Sequence, residues 1–217
     1  MIKSKKQLIL AIALFVIVIF VNIPFPHFHT TLGANLTLFN IPLNNKYGLN
    51  YIGIASVLVI IIGLIILHRS LEKYRVRLII LAFVLVSITP QLLVNVFQKT
   101  IATGIYAIEY NPGDSKCEFT TFNSDTLHGH CELWFQNHSN HEVTFTVEFY
   151  DYRMDRTKMV SLMNSEEPIE IIVEGKIKKP IIITKEIDVS NLDNYISSGT
   201  SSYVNIIMRD GNKYREL

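Results

Sequence analysis

The stretch Thr126–Phe135, TLHGHCELWF, combines residue types that can bind metals or carry out redox chemistry. His128 and His130 stand directly before Cys131, and imidazole and thiolate are ligands that zinc and copper prefer. Alternate residues of a β-strand point to opposite faces, so Cys131 shares an apolar face with Phe135. Both histidines fall on the other face. A regular strand therefore cannot direct Cys131 and the two histidines to one ion.

A second cysteine offers Cys131 a different partner. Cys117 lies in another alternating stretch, and thirteen residues separate the two cysteines. An antiparallel hairpin that turns at 123–125 places them opposite each other, with Cβ atoms about 4.5–5.5 Å apart. We predict a structural disulfide, with two free buried thiols or a redox-active pair as alternatives. Glu118 and Glu132 flank the cysteines and oppose the thiolate that a redox role needs.

The histidines suggest a weaker possibility of metal binding. Two His-x-His pairs occur, and a strand directs both rings of such a pair to one face. The candidate metal ligands are His27, His29, His128 and His130. His138 and His141 lie in the polar stretch NHSNH, where we expect solvated side chains. We predict surface histidines and no cofactor, and we keep a zinc, copper or pH-sensing site as the alternative.

Three apolar stretches dominate the first half of the chain. They cover residues 7–24, 51–67 and 78–97 and are free of charged residues. A helix needs about 20 apolar residues to cross the hydrocarbon core of a bilayer. We predict a membrane domain of three transmembrane helices at 1–98, with a connecting loop at 24–50. The first stretch also resembles a signal peptide after its basic MIKSKK start, but VNIPFPHF contains no small-residue cleavage pattern, which favours an uncleaved anchor.

Basic residues predict the orientation of these helices. Seven lie at the N-terminus and in loop 68–77, whereas Lys46 and Lys99 are the two beside the opposite ends of the spans. Basic residues collect on the cytoplasmic side of membrane proteins. The N-terminus and loop 68–77 are therefore expected in the cytoplasm. Loop 24–50 and residues 98–217 are expected outside the cell membrane.

The second half of the chain has the pattern of an all-β domain. Short apolar runs alternate with polar residues, and turn residues recur every 8 to 12 positions. In EVTFTVEFYDY, for example, Val143, Phe145, Val147 and Phe149 share one face. Seven to nine strands in residues 104–217 predict an antiparallel sandwich of the immunoglobulin or fibronectin type. We also predict a strand that starts after Pro180, a hairpin turn at Asp210–Gly211, and a short helical turn from Ser190 to Gly199.

A family resemblance supports this fold. Residues 131–151, CELWFQNHSNHEVTFTVEFYD, resemble the strand, Asn/Ser turn, strand and Phe-Tyr-Asp segment of FxLYD and LEA-type sandwich modules. The likeness extends at most to about residue 208. Such modules occur in bacterial envelope proteins. The resemblance implies a binding or spacer module without catalytic residues.

Composition narrows the functional classes further. Residues 104–217 contain 11 Lys or Arg and 18 Asp or Glu, a net charge of −7 that favours cationic partners. There is no basic run for nucleic acid, and no nucleotide, hydrolase or metalloprotease motif, so we do not expect an enzyme. We expect a membrane-bound binding or scaffolding protein whose partner is a protein or an envelope component. The candidate contact residues are Trp134, Tyr150, Tyr152 and the Phe25–Phe39 loop. An accessory or self-protection subunit of a membrane complex is a further alternative.

Overall fold

The computed structural model describes residues 2–27, 37–38, 41–42, 51–123, 125–151, 158–165, 168–192 and 195–217. These residues form three α-helices, two antiparallel four-stranded sheets and a small two-stranded pair. The chain divides into two compact units, Met1–Val96 and Phe97–Leu217. The fold class is therefore α plus β, with the helices and the large sheets separated along the sequence.

The helices cover the three apolar stretches. They are α1 (Lys5–Val21), α2 (Tyr51–Ser70) and α3 (Arg75–Thr100). Within the described residues, α2 and α3 are long and apolar enough to cross a membrane. Helix α1 has 17 residues and is shorter than both. The N-terminus of α1 is capped by the Ser4 hydroxyl, which accepts a hydrogen bond from the Gln7 amide at 3.5 Å. Predicted span one extends to residue 24, whereas α1 ends at Val21, three residues before Pro24.

In the first unit, α1 packs against α2 through a close approach at Gly63. A Cβ atom at Gly63 would lie 2.7 Å from the Phe15 ring, so only glycine leaves room for that ring. Near the other end of the pair, the Asn22 side-chain amide donates to the Ser56 hydroxyl at 2.8 Å. Small residues and interhelical hydrogen bonds of this kind hold helices together in lipid.

The outward surfaces of these helices are apolar. Large aliphatic side chains on all three are exposed, including Ile9 at 67%, Val57 at 55% and Ile80 at 59%. A helix of a water-soluble protein normally directs polar residues outward. The apolar exterior is what a surrounding hydrocarbon phase would accept.

The second unit contains eight strands in two antiparallel sheets. One sheet has the order β7–β4–β3–β8 and the other β10–β9–β5–β6. The bounds are β3 (Ile108–Thr121), β4 (Thr126–Asn137), β5 (Val143–Phe149), β6 (Ile169–Val173), β7 (Lys178–Asp188), β8 (Gly199–Ser202), β9 (Ile206–Asp210) and β10 (Lys213–Glu216). This unit also contains two short 3₁₀ helices, Gly104–Ala107 and Val160–Asn164. In the first unit, β1 (Thr37–Leu38) pairs with β2 (Ile41–Pro42).

One apolar cluster contains side chains from both large sheets. The inward residues of β4 and β5 alternate with outward ones, as the sequence predicts. Phe135 of β4 meets Phe145 of β5 edge to face, with ring centroids 5.5 Å apart. All four predicted inward residues of β5 are buried. The period-two pattern thus identified the core of this unit.

Three local predictions need correction. Strand β7 begins at Lys178 and includes Pro180, which an edge strand tolerates because its outer amides need no partner. The hairpin between β9 and β10 turns at residues 211–212, because Asp210 still pairs with Lys213. The described part of residues 189–198 contains no helix.

The described residues after β7 form a hydrogen-bonded turn, in which the Leu192 amide donates to the Val189 carbonyl at 3.1 Å. The Asp188 carboxylate accepts the Ser190 amide at 2.9 Å, and the Val189 amide donates to the Asp125 carbonyl. An aspartate that bonds the amide two residues ahead competes with helix formation.

The cysteine pairing agrees with the prediction. Cys117 of β3 stands directly opposite Cys131 of β4 in the ladder, and both side chains are fully buried. Their sulfur atoms lie 1.98 Å apart, a disulfide distance, and there is no free cysteine. The bond joins adjacent strands on the core side of their sheet.

Loss of this bond should destabilise the β unit. Closing a loop of about 15 residues removes unfolded-state entropy worth roughly 3 kcal/mol. We expect Cys117→Ala/Cys131→Ala to lower the free energy of unfolding by about that amount. Urea denaturation followed by the fluorescence of Trp134, the single tryptophan, measures this in the full chain. Dithiothreitol should destabilise the native protein similarly and leave the variant unaffected; equal urea midpoints for all samples would contradict the prediction.

Tyr110 links β3 to the segment before β9. Its hydroxyl donates to the Val204 carbonyl at 2.7 Å, and only 7% of the residue is exposed. Burial raises the pKa of Tyr110 well above its usual range, because the phenolate would lose its hydration. The folded state therefore favours the neutral phenol.

This shift predicts a loss of stability at alkaline pH. The stability that the buried neutral phenol of Tyr110 contributes is fully present below the unfolded pKa of about 10. It falls as the pH rises towards the folded pKa, by up to about 1.4 kcal/mol per pH unit. Urea midpoints at pH 8 and pH 11 should therefore differ less for Tyr110→Phe than for the native chain. The control is Tyr203→Phe, since Tyr203 is 68% exposed and should keep the native difference. A Tyr110→Phe protein with the native pH dependence would refute this assignment.

Candidate functional site

The outward face of the sheet β7–β4–β3–β8 contains three of the candidate residues, His128, His130 and Trp134. On β4 this face carries His128, His130, Glu132 and Trp134, all half-buried. Cys131 points to the opposite, buried face. The predicted separation of the cysteine from the histidines is confirmed.

Trp134 is the largest side chain on this face. Its indole N–H donates to the Glu132 carboxylate at 3.1 Å, and the Lys178 ammonium lies 5.5 Å from the ring centroid. In the ladder Trp134 stands opposite Pro180, and Glu132 stands opposite Ile182. Ile182 is 64% exposed. We call Trp134, Lys178, Pro180 and Ile182 the Trp134 surface.

An irregularity of β3 adjoins the Trp134 surface. The β3–β4 register shifts between Asn111 and Lys116. The Asn111 side chain accepts the amides of Gly113 and Asp114, which holds the extra residues in a compact turn. At this irregularity the Trp134 amide donates its hydrogen bond to the Ser115 hydroxyl, at 3.0 Å, instead of to a backbone carbonyl of β3. Bulges of this kind commonly reorient side chains beside functional sites.

Two residues near the bulge, Asp114 within it and Tyr203 after β8, add a charge and an aromatic ring. The Asp114 carboxylate lies 3.9 Å from the Lys178 ammonium of the Trp134 surface. The Tyr203 hydroxyl lies 4.0 Å from where a Cβ of Gly113 would be. Tyr203 adopts a left-handed backbone conformation with φ of 57°, which is uncommon for tyrosine. Apolar, aromatic and charged groups therefore meet at one end of this sheet.

Two of these residues were missing from the sequence-based site. Three consecutive isoleucines in PIIIT require one to point away from the core of an alternating strand, and that residue is Ile182. This signal was available in the sequence. Tyr203 had no such signal, because its position depends on the pairing of β8 with β3.

The predicted aromatic contact residues do not lie together on one strand face. Trp134 belongs to β4, whereas Tyr150 follows β5 of the other sheet. Tyr150 is half-buried, and its amide donates to the Asn205 carbonyl at 3.2 Å. Tyr152 and Phe39 lie outside the described residues. The structure thus places Trp134 and Tyr150 in different sheets.

The outer histidines have different surroundings. The His130 Nδ1 atom lies 3.1 Å from the Thr184 hydroxyl, and His128 stands opposite Glu186 in the ladder. Within the described residues, no group of three or more His, Cys, Asp or Glu side chains is arranged to hold a metal ion. His27 belongs to the first unit, and His29 lies outside the described residues.

Gly129, between the two histidines of β4, has a structural role. A Cβ there would lie 2.6 Å from the Met163 sulfur and 3.2 Å from the Phe119 ring. The core therefore requires a glycine on the inward face of β4 at this position. Packing thus accounts for the glycine of the HGH pattern.

His138 departs from the expectation of a solvated histidine. It is 8% exposed, and its Nε2 atom lies 2.6 Å from the Glu109 carboxylate. The neighbouring Asn137 is fully buried, and its amide donates to the carbonyls of His141 and Val173. These bonds hold the NHSNH loop together and against the last residue of β6. His138 is thereby a loop-anchoring residue.

Comparison with known proteins adds no relative: no family model, no curated protein and no solved structure matches this chain.

Proposed function

We propose that this chain is a multi-pass membrane protein that displays a binding domain outside the cell. In this proposal α1, α2 and α3 all span the bilayer, and residues 104–217 form an immunoglobulin- or fibronectin-like sandwich. Support for the spans comes from the apolar outward surfaces of the helices. Support for the sandwich comes from the cluster shared by two antiparallel sheets.

The observation that carries the binding role is the Trp134 surface. It combines an aromatic ring, an exposed isoleucine at Ile182 and the Lys178 charge beside a strand irregularity. Tryptophan is enriched among residues that dominate protein interfaces. The domain carries a net charge of −7, which attracts a basic partner over several ångströms. The partner we propose is therefore a basic protein with an apolar residue that contacts Trp134 and Ile182, where the Lys178 ammonium lies 3.9 Å from the Asp114 carboxylate.

The proposed orientation places loop 68–77 in the cytoplasm and the β domain outside. Lys73 in that loop and Asn212 in the β9–β10 turn are both exposed. The native cysteines are paired, so an introduced cysteine is the only reactive thiol.

Membrane-impermeant maleimide should therefore label Asn212→Cys in intact cells and Lys73→Cys only after permeabilisation. Each variant serves as the control for the other. The chain should also stay in the membrane fraction after carbonate extraction. If Lys73→Cys were labelled in intact cells, the orientation would be the opposite of the proposed one. If carbonate released the chain from the membrane fraction, the proposal that it spans the membrane would be wrong.

Photocrosslinking in intact cells tests the binding role. Benzoylphenylalanine at Ile182 should give one defined adduct, and Trp134→Ala should reduce it about tenfold or more, as expected for an aromatic anchor worth at least roughly 1.4 kcal/mol. The matched control is Ile172, which is 50% exposed on β6 of the other sheet. The adduct should also weaken at high salt, because screening reduces attraction to a basic partner. The same adduct from Ile172, or an adduct insensitive to Trp134→Ala, would contradict this role.

A further inference from the structure

A second candidate site lies at the ends of the helices in the first unit. A pocket of about 540 Å³ is lined by Lys3, Ser4, Gln7, His68, Arg69 and Arg75. The lining comes from the start of α1, the end of α2 and the start of α3. Two guanidinium groups, one ammonium group and an imidazole meet there without a carboxylate in the lining.

Backbone hydrogen bonds build this pocket. The amides of Lys3 and Ser4 both donate to the Ser70 carbonyl, at 2.7 and 3.2 Å, and Ile2 forms a β-bridge with Leu71. The N-terminal segment is thus tied to the end of α2. On the other side, the Arg75 Nε donates to the Leu71 carbonyl at 2.8 Å, which fixes one edge of its guanidinium. The cationic groups are therefore held by the fold around a common space.

The basic side chains of this pocket keep their charge within the part of the chain that the structure describes. None of the ion pairs between described residues involves Lys3, Arg69 or Arg75. The pocket also contains the capped N-terminus of α1, where the helix dipole adds partial positive charge. An anion with several oxygen acceptors suits this arrangement, because arginine binds phosphate oxygens in a bidentate manner.

Apolar surface adjoins the basic lining. A groove of about 490 Å³ is lined at one end by Ile2, Leu71 and Leu78, and it continues along α1 and α3 to Ile19 and Thr89. Three groove residues are chain neighbours of pocket residues: Ile2 precedes Lys3, Leu8 follows Gln7, and Leu67 precedes His68. The ligand that matches both surfaces has a phosphate at one end and an acyl chain at the other.

We propose that this pocket binds the headgroup phosphate of an anionic phospholipid whose acyl chain follows the groove. The inference rests on the proposed membrane insertion, which puts the pocket at the cytoplasmic leaflet, where anionic lipids attract basic residues. The ligand class is a phosphodiester without a compensating amine, such as phosphatidylglycerol. The site differs from the Trp134 surface in position and in ligand chemistry.

Calorimetry on the full chain in neutral detergent tests the site with three probes. Dioctanoyl phosphatidylglycerol should bind, dioctanoyl phosphatidylcholine should bind at least tenfold more weakly, and glycerol 3-phosphate should bind weakest. The decisive variants each remove two basic charges from residues 68–77. Arg69→Gln/Arg75→Gln should weaken phosphatidylglycerol binding about 30-fold, equivalent to about 2 kcal/mol. Lys73→Gln/Arg77→Gln, whose residues lie outside the pocket lining, should change it less than twofold.

Arg69→Gln alone guards against a folding defect. Arg69 is exposed, and its loss should still cost about fivefold while the urea midpoint stays unchanged. If both double variants lost the same amount of phosphatidylglycerol affinity, the lipid would be attracted by the overall positive charge of the surface, and the proposal would be overturned. If glycerol 3-phosphate bound as tightly as phosphatidylglycerol, the acyl chain would contribute nothing and the proposed lipid ligand would be wrong. Absence of lipid binding by a chain that resists carbonate extraction would refute this inference and leave the proposed membrane function intact.

Discussion

The pairing of β3 with β4 is the constraint on which the β unit depends. Cys117 opposite Cys131 sets the register of these strands, and a slip of one residue would exchange every inward and outward side chain. With this register, Phe135 enters the core and Trp134 reaches the surface. The two histidines of β4 point outward for the same reason. The candidate binding surface is thus a consequence of the same pairing that buries the disulfide.

The helical unit depends on a different constraint. Its long apolar helices leave most of their aliphatic side chains exposed, so contacts between the helices must come from small residues and a few polar bonds. Gly63 against Phe15 and Asn22 with Ser56 provide such contacts. The charged residues gather at the ends, where Lys3, Arg69 and Arg75 surround one pocket. The positive residues that predict the orientation also line the pocket that we propose as a phospholipid site.

Much of the fold could be predicted because it follows from periodicity. Alternation in EVTFTVEF identified four core residues, and the symmetric spacing of two cysteines identified their pairing. The predictions that failed depended on side-chain hydrogen bonds and on the assignment of strands to sheets, neither of which has a repeating period in the sequence. The Asp188 carboxylate accepts the Ser190 amide where a helical turn was expected, and His138, expected in solvent, is 8% exposed beside the Glu109 carboxylate. Tyr150 and Trp134 were separated because their strands joined different sheets.

The sequence by itself determined where the helices and most strands lie, which faces are apolar, and which cysteines meet. These properties depend on residues close in the chain or on a repeating period. Only the tertiary structure decided the neighbours of Trp134, the bulge at residues 111–116 and the basic pocket. Lys3 and Arg75 are 72 positions apart, and no local pattern brings them together. Their meeting requires helix packing and the bonds from residues 3 and 4 to the Ser70 carbonyl, because cooperative contacts between distant segments have no periodic signature.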